Sequence, residues 1–284
     1  MITILKNYFR LFRVKHYIKN TIIFVPLFFS GDLFNLQKLS VLIIAFFAFC
    51  FMASAIYIFN DICDLENDKQ HPARKKRPLA NGEIEKKQAI YVMVFNVLIS
   101  VIISVYLGNV AAACILFLYF FLNILYSKFL KKAPIIDIVT LASFFMLRLF
   151  YGGLISDIEI SQWLYLVVMS GSFYLVLGKR RNELMLHSTV SREVLKHYSV
   201  SFLNYNMYVF STLAVVFYAL WTIHVRIPGI IWTTPLLVVL LMYYSYVLEG
   251  NSEGDPVDIV FHEKGMLLIV LAFALSMFFL LYVI

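Results

Sequence analysis

Three aspartates, Asp61, Asp64 and Asp68, stand where a long apolar run ends, within Asn60–Asp61–Ile62–Cys63–Asp64–Leu65–Glu66–Asn67–Asp68. Their i, i+3, i+7 spacing puts all three on one face of any helix that continues through them. Carboxylates about 5–6 Å apart repel by roughly 3 kcal/mol per pair at an effective dielectric near 20, so a positive charge must offset them. Oxygen-only donors point to a hard cation. Mg²⁺ takes one or two protein carboxylates and completes its shell with water and substrate phosphate. The motif therefore predicts a Mg²⁺–phosphate site; a polar helix end beside a membrane is the plainer reading of the same residues.

The loop that follows carries Lys69, Arg74, Lys75, Lys76, Arg77, Lys86 and Lys87. Basic groups next to an acidic metal motif suit a polyphosphate, part of which is bridged by the metal and part gripped by guanidinium forks. Arg74 and Arg77, flanked by Pro72 and Pro78, fit that role. The four lysines at 75, 76, 86 and 87 read better as topological charges.

These residues must be held by membrane helices. Hydrophobic residues make up 62 % of the 284-residue chain and charged ones 14 %, and the mean hydropathy is +0.83. That balance lies far from a soluble domain's. Apolar runs of near-bilayer length predict nine spans, at about 20–36, 41–60, 89–107, 109–127, 134–154, 161–178, 199–223, 229–248 and 265–283. The first is short and contains Pro26, so a tilted or re-entrant segment is its alternative. Residues 1–30 also have the order of a signal peptide, but with an overlong basic region and a poor cleavage site.

Charge orients the set. Lys6, Arg10, Arg13, Lys15 and Lys19 precede the first span, and the cluster at 69–87 follows the second. Lys128, Lys131 and Lys132 follow the fourth; Lys179, Arg180, Arg181, Arg192 and Lys196 follow the sixth. Alternate loops carry little beyond Lys38 and Arg226. With nine spans every basic cluster falls on one side, which the positive-inside rule makes cytoplasmic. The net charge of +7 is thus mainly a topological signal, not a nucleic-acid footprint. Cys50, Cys63 and Cys114 lie in spans or at the cytoplasmic face, where disulfides are not expected. The six histidines lack metal-ligand spacing, and no linker appears, so residues 1–284 read as one all-α polytopic membrane domain.

The run from Asn60 to Gly82 resembles the first aspartate-rich motif of the UbiA superfamily of intramembrane prenyltransferases, and the similarity extends along essentially the whole chain. The resemblance implies a bundle of nine transmembrane helices around a central cavity, with Mg²⁺ and a diphosphate at its cytoplasmic mouth. One departure is informative. Members that use a prenyl diphosphate carry a second aspartate-rich motif after the sixth span, where this chain has Gly178–Lys179–Arg180–Arg181–Asn182–Glu183–Leu184. That basic pattern resembles the decaprenyl-phosphate phosphoribosyltransferase branch. So do Arg13–Asn20 followed by Phe24–Leu27, Tyr126–Ser127–Lys128, Pro134–Ile138, Arg148 with Gly152–Gly153, and Gly254–Lys264.

In that branch phosphoribosyl diphosphate is the donor and a membrane polyprenyl phosphate the acceptor. The resemblance implies Mg²⁺ on Asp61, Asp64 and Asp68, with Asn60 as a neutral neighbour. Asp137 and Arg148 lie within a span, eleven residues or about three turns apart, so they can face one cavity. Asp137 is then expected at the ribose hydroxyls or metal and Arg148 at a phosphate. Lys179 and Arg180, with Glu183 in the same motif, are the candidates for the lipid phosphate or ribose 5-phosphate. Lys15 and Lys19, one helical turn apart, are candidates to join them, as are Tyr126 and Lys128. Asp258, His262 and Lys264 fit better as closing the mouth than as touching substrate. The alternatives are a prenyltransferase moving an isoprenoid chain to an aromatic acceptor, and a lipid-phosphate transporter or binder. The transferase product would feed pentose into an envelope polymer.

Overall fold

The structure, a computed structural model, describes residues 2–70, 74–186, 193–250 and 255–283. Pro72, Arg192 and Gly254, named above, lie outside the described residues. Helices make up most of the described chain, and the described residues contain no strand. The chain divides into two compact units: residues 1–131 with 147–159, and residues 132–146 with 160–284.

In the first unit the axis is α3, Leu36–Cys63, preceded by α1, Ile2–Phe12, and α2, Val25–Phe29. α3 opens at Asn35, whose side chain accepts from the amides of Gln37 and Lys38 and so satisfies free donors of the first turn. It is apolar nearly all round, and 61 % of its apolar window is buried, against 17 % for α5, Lys86–Leu107. A helix apolar on every side belongs in an interior. Along α3 the buried Ala45, Ala48, Ala53, Ser54 and Ala55 let neighbours approach closely. The Ser100 hydroxyl of α5 donates to the Ala48 carbonyl at 2.8 Å, a polar tether on the buried face of α5 that also carries Ala89, Asn96 and Ser104. Next comes the short α4, Leu65–Gln70, and after α5 comes α6, Val110–Lys128.

The expected first span is not one helix. A 3-10 segment, Val14–Phe24, leads into α2, and Gly31 with φ +85° ends the run. Arg13 meets Asp61, Tyr17 meets Ser54, Asn20 meets Cys50, and Phe24 meets Phe46. The pairs step in opposite directions, so the segment runs antiparallel along the length of α3. A 3-10 helix rises about 2.0 Å per residue against 1.5 Å for an α-helix, which lets so short a segment cover the distance. The tighter winding also corrects the Lys15–Lys19 expectation. At three residues per turn, positions four apart diverge by about 120° instead of sharing a face.

The same logic places Gly152. A Cβ there would come within 2.0 Å of the Ile23 carbonyl oxygen, so backbone meets backbone and neither has a flexible end to yield. Gly152→Ala is expected to lower the thermal midpoint of the detergent-solubilised protein, by about 1–3 kcal/mol of overpacking cost. A midpoint equal to that of the unsubstituted protein would show that the approach is not tight.

Helix α7, Ile136–Ser156, contributes its residues up to Met146 to the second unit and the remainder to the first. The second unit adds α8, Gln162–Leu186; α9, Val200–Val225; α10, Thr234–Glu249; α11, Pro256–His262; and α12, Lys264–Tyr282. Its core clusters Ile138, Tyr174, Leu177, Leu195, Leu203, Tyr244 and Leu248. Among the described residues seven helices are long and apolar enough to cross a membrane, against the nine spans expected. The broken first segment is one difference. The other is α8, whose 25 residues suffice in length but which buries Ser170 and Ser172 and ends in a charged run.

Candidate functional site

In the first unit the chain alternates direction with each long element, so α3 and α6 end where α1 ends and α5 begins. Arg10 reaches Glu83 at 3.2 Å and Lys131 reaches Asp64 at 2.7 Å, which gathers the acidic motif and its basic neighbours at that one end. Helix α3 stops at Cys63, and Asp64 caps it with φ −98° and ψ 9° before α4 resumes. Backbone hydrogen bonds from Asp64 to Asn60 and from Asp68 to Asp64 bridge the break, at 2.9 and 2.8 Å. The bend splits the expected triplet. Asp61 and Asp68 stay together through Arg77, which bonds Asp61 at 3.1 Å and also binds Asp68, whereas Asp64 pairs with Lys131.

Among the described residues no three His, Cys, Asp or Glu side chains lie close enough to hold a metal together. The two that do converge are nonetheless a fitting donor pair. Asp61 is 3 % exposed and Asp68 1 %, and Asp68 Oδ1 is buried with no hydrogen-bond partner among the described residues. An Arg74 nitrogen stands 4.0 Å from that oxygen, a Coulombic neighbour beyond hydrogen-bond reach. Hard carboxylate oxygens with one lone-pair direction unspent match the one or two protein ligands Mg²⁺ takes. Burial pushes the Asp68 carboxyl above the usual carboxylate range; Arg77 pulls it back and Asp61 adds to the rise. Burial also lowers the Arg77 guanidinium, assisted by Arg13 and opposed by the two aspartates. Arg13 and Arg77 offset these buried like charges here, and a divalent cation is another charge that would relieve them.

Arg13 was not among the residues the sequence singled out for the site. It sits at φ 52° between α1 and the 3-10 segment, binds Asp61 and lies 5.0 Å from the Tyr57 ring centroid. Its partner is 48 positions away in the chain, so no local pattern announces it. Lys131 stands in the sequence only as a topological charge, and Asp255 only as a member of the Gly254–Lys264 run. Of the other expected residues in this unit, Asn60 accepts from Ser127 and Tyr126 is buried. Lys128 is exposed, with its ammonium 6.0 Å from the Phe59 ring centroid. Lys15 is exposed and Lys19 half-buried on the 3-10 segment.

Arg148 is buried at 4 % exposure. Its guanidinium donates to Asn20 at 2.8 Å and to the Tyr119 hydroxyl at 2.9 Å, and it lies about 5 Å from the ring centroids of Phe49 and Tyr119. These contacts tie α7 to the 3-10 segment and α6, a packing role beside the phosphate role expected of it.

The second unit gathers its own charged end. Arg180, 1 % exposed, grips Asp137, fully buried, with two bonds at 2.6 and 2.8 Å, and also binds Glu183. Asp137 thus pairs with a residue of α8. Lys179 donates to Asp255 at 2.9 Å, and Asp255 caps α11 through the Val257 amide. Arg181 bonds Asn204 at 2.7 Å and the Leu248 carbonyl at 3.3 Å, fastening α8 to α9 and α10. Asp258, His262 and Lys264 lie on or beside α11; His262 and Lys264 are exposed, and the His262 ring contacts the Asp258 carbonyl at 2.8 Å.

Residues 21–265 match the UbiA prenyltransferase family. The decaprenyl-phosphate phosphoribosyltransferase of Corynebacterium glutamicum is 34 % identical over 273 residues, covering 92 % of this chain and 82 % of that protein. The enzyme of the same name from Mycolicibacterium smegmatis is 29 % identical over 81 % of this chain and 76 % of its own length. Among solved structures, a UbiA homologue from Archaeoglobus fulgidus bound to DMAPP and Mg²⁺ superposes with a TM-score of 0.73 at 16 % identity, covering 98 % of this chain and 99 % of that one.

Proposed function

This chain belongs to the UbiA prenyltransferase family, and we propose that it transfers a 5-phosphoribosyl group from phosphoribosyl diphosphate to a membrane polyprenyl phosphate. The observation that carries the reading is the charge at the second motif: a basic Lys179–Arg180–Arg181 where users of prenyl diphosphates carry aspartates. The phosphoribosyltransferase relatives support it. The family match runs through both units, which supports reading residues 1–284 as one domain. The chain is a multi-pass membrane protein; the positive-inside bias supports an inner-membrane orientation with the acidic motif toward the cytoplasm.

In this reading the bond between the anomeric carbon and the diphosphate oxygen breaks, the electron pair leaves with diphosphate, and a lipid phosphate oxygen bonds to the carbon. Mg²⁺ would be held by Asp61 and Asp68, with Asp64 joining if it leaves Lys131, and would neutralise charge growing on the leaving group. Arg77 turns from carboxylates to diphosphate oxygens, an exchange of one charge-assisted bond for another, and Arg74 beside it would meet the same oxygens. Lys179 and Arg180 hold the lipid phosphate or the ribose 5-phosphate, Glu183 steadies the Arg180 guanidinium, and Asp137 orients Arg180 or meets the ribose. A phosphate monoester is already nucleophilic near neutrality, so the residues chiefly bring two anions together.

The test incubates membranes containing the protein with Mg²⁺, phosphoribosyl diphosphate and polyprenyl phosphate. Phosphoribosylated lipid and diphosphate are expected. Their absence, with product formed instead from prenyl diphosphate and an aromatic acceptor, would overturn the reading. In the same assay Lys179→Ala is expected to raise the KM of a phosphate substrate about tenfold or more, the loss of a charge-assisted hydrogen bond. Lys86→Ala should change it less than about twofold, because an exposed topological charge contributes little. Equal effects would reduce both lysines to topology.

A further inference from the structure

The turn that introduces α7 is strained. Ile135 has φ +66°, a left-handed conformation that a β-branched residue rarely adopts. The Ile136 amide donates to the Pro134 carbonyl at 2.7 Å, two residues back, which together with the positive φ marks a γ-turn of the rarer, strained hand. Such a turn persists only where its surroundings over-determine it, and strained backbone clusters at functional sites. Here one side chain joins the backbone bonds that hold the turn. The Ile135 amide donates to the Tyr198 hydroxyl at 2.7 Å. Tyr198 is itself buried, with its ring stacked on Phe202 at 5.8 Å and an interplanar angle of 3°, so the hydroxyl is a fixed post.

Two residues beyond Ile135 is Asp137, whose amide bonds the Ala133 carbonyl at 3.0 Å across the same turn. Its carboxylate meets Arg180 with the bidentate geometry described above. The φ of Ile135 therefore sets the direction in which the backbone delivers Asp137, and with it the orientation of the Arg180 fork. We propose that Tyr198 is a positioning residue: by holding the Ile135 turn it aims Asp137, and through Asp137 the guanidinium of Arg180. The catalytic part rests on the function proposed above; the geometric part does not.

The full-length protein in detergent or membranes is compared with Tyr198→Phe and with the double variant Tyr198→Phe/Ile135→Gly. Glycine adopts positive φ without steric cost, so it should hold the turn without the hydroxyl. Tyr198→Phe is expected to lower kcat for phosphoribosyl transfer about tenfold through misalignment, with both KM values changed less than about twofold, and the glycine to restore most of the loss. A kcat equal to that of the unsubstituted protein overturns the inference. A loss that glycine fails to rescue also overturns it, because the hydroxyl would then act elsewhere than on the turn. Amide hydrogen exchange needs no substrate: Ile135 should exchange faster in Tyr198→Phe, and unchanged exchange refutes the clamp whatever the activity. If the unsubstituted protein transfers no phosphoribosyl group, the functional reading fails by itself and exchange alone decides the clamp.

Discussion

Asp68→Asn is expected to lower Mg²⁺-dependent kcat/KM by about 10²–10³-fold, the scale of a lost electrostatic contribution to the leaving group. The protein should still insert and elute as a single species. Asp68 is the right position to substitute because its buried Oδ1 has no hydrogen-bond partner among the described residues, and its carboxyl is held above the ordinary range by burial. Asparagine keeps the shape, removes a charge that burial disfavours and leaves Arg77 still paired with Asp61, so the folding cost is expected to stay below that of an unpaired buried charge. Initial rates as a function of Mg²⁺ concentration make the measurement. Activity equal to that of the unsubstituted protein at every concentration would sink the metal assignment. Asp64→Asn is expected to lose Mg²⁺-dependent turnover as well if that carboxylate leaves Lys131 for the ion, and a much milder loss would assign it to the ion pair alone.

The largest stability effect is expected at Arg180. Arg180→Met leaves Asp137 fully buried without its bidentate partner, and removing one member of such a pair costs about 3–5 kcal/mol. Glu183, also bound to Arg180, loses that contact in the same step. Asp137→Asn/Arg180→Met should recover a substantial part of that loss, since an apolar or neutral replacement of both members removes the desolvation penalty together with the attraction. The thermal midpoint in detergent, followed for both single variants and the double, reads the coupling directly. Additive losses would mean that the two residues do not depend on each other.

Much of this architecture is legible in the amino-acid sequence. Composition and the recurrence of apolar runs specify helices in a membrane, because backbone groups in lipid must be satisfied within each segment. The alternation of basic clusters anticipated that Arg10, Arg13, Lys128 and Lys131 would gather at the end of the first unit that carries the acidic motif. Other expectations failed for identifiable reasons. A pattern of apolar residues does not distinguish a 3-10 from an α crossing, so the Lys15–Lys19 face and the single first helix were read from the wrong period. At the sixth expected span a helix, α8, does stand, and its charged end sets it apart from the more apolar crossings.

The sequence by itself determined the membrane class and the three-aspartate motif, which are properties of composition or of residues within two turns of each other, with arginines in the loop that follows; the resemblance added that a basic run stands where a second acidic motif is expected. The tertiary structure decided who holds whom. Arg13 on Asp61, Lys131 on Asp64 and Arg180 on Asp137 join residues 48, 67 and 43 positions apart. Even within the motif, the bend at Asp64 separated one carboxylate from the two that α3 and α4 bring to Arg77. Helical periodicity orders side chains only along one element, whereas an ion pair between elements depends on how their backbones pack, and that is settled by all the contacts at once.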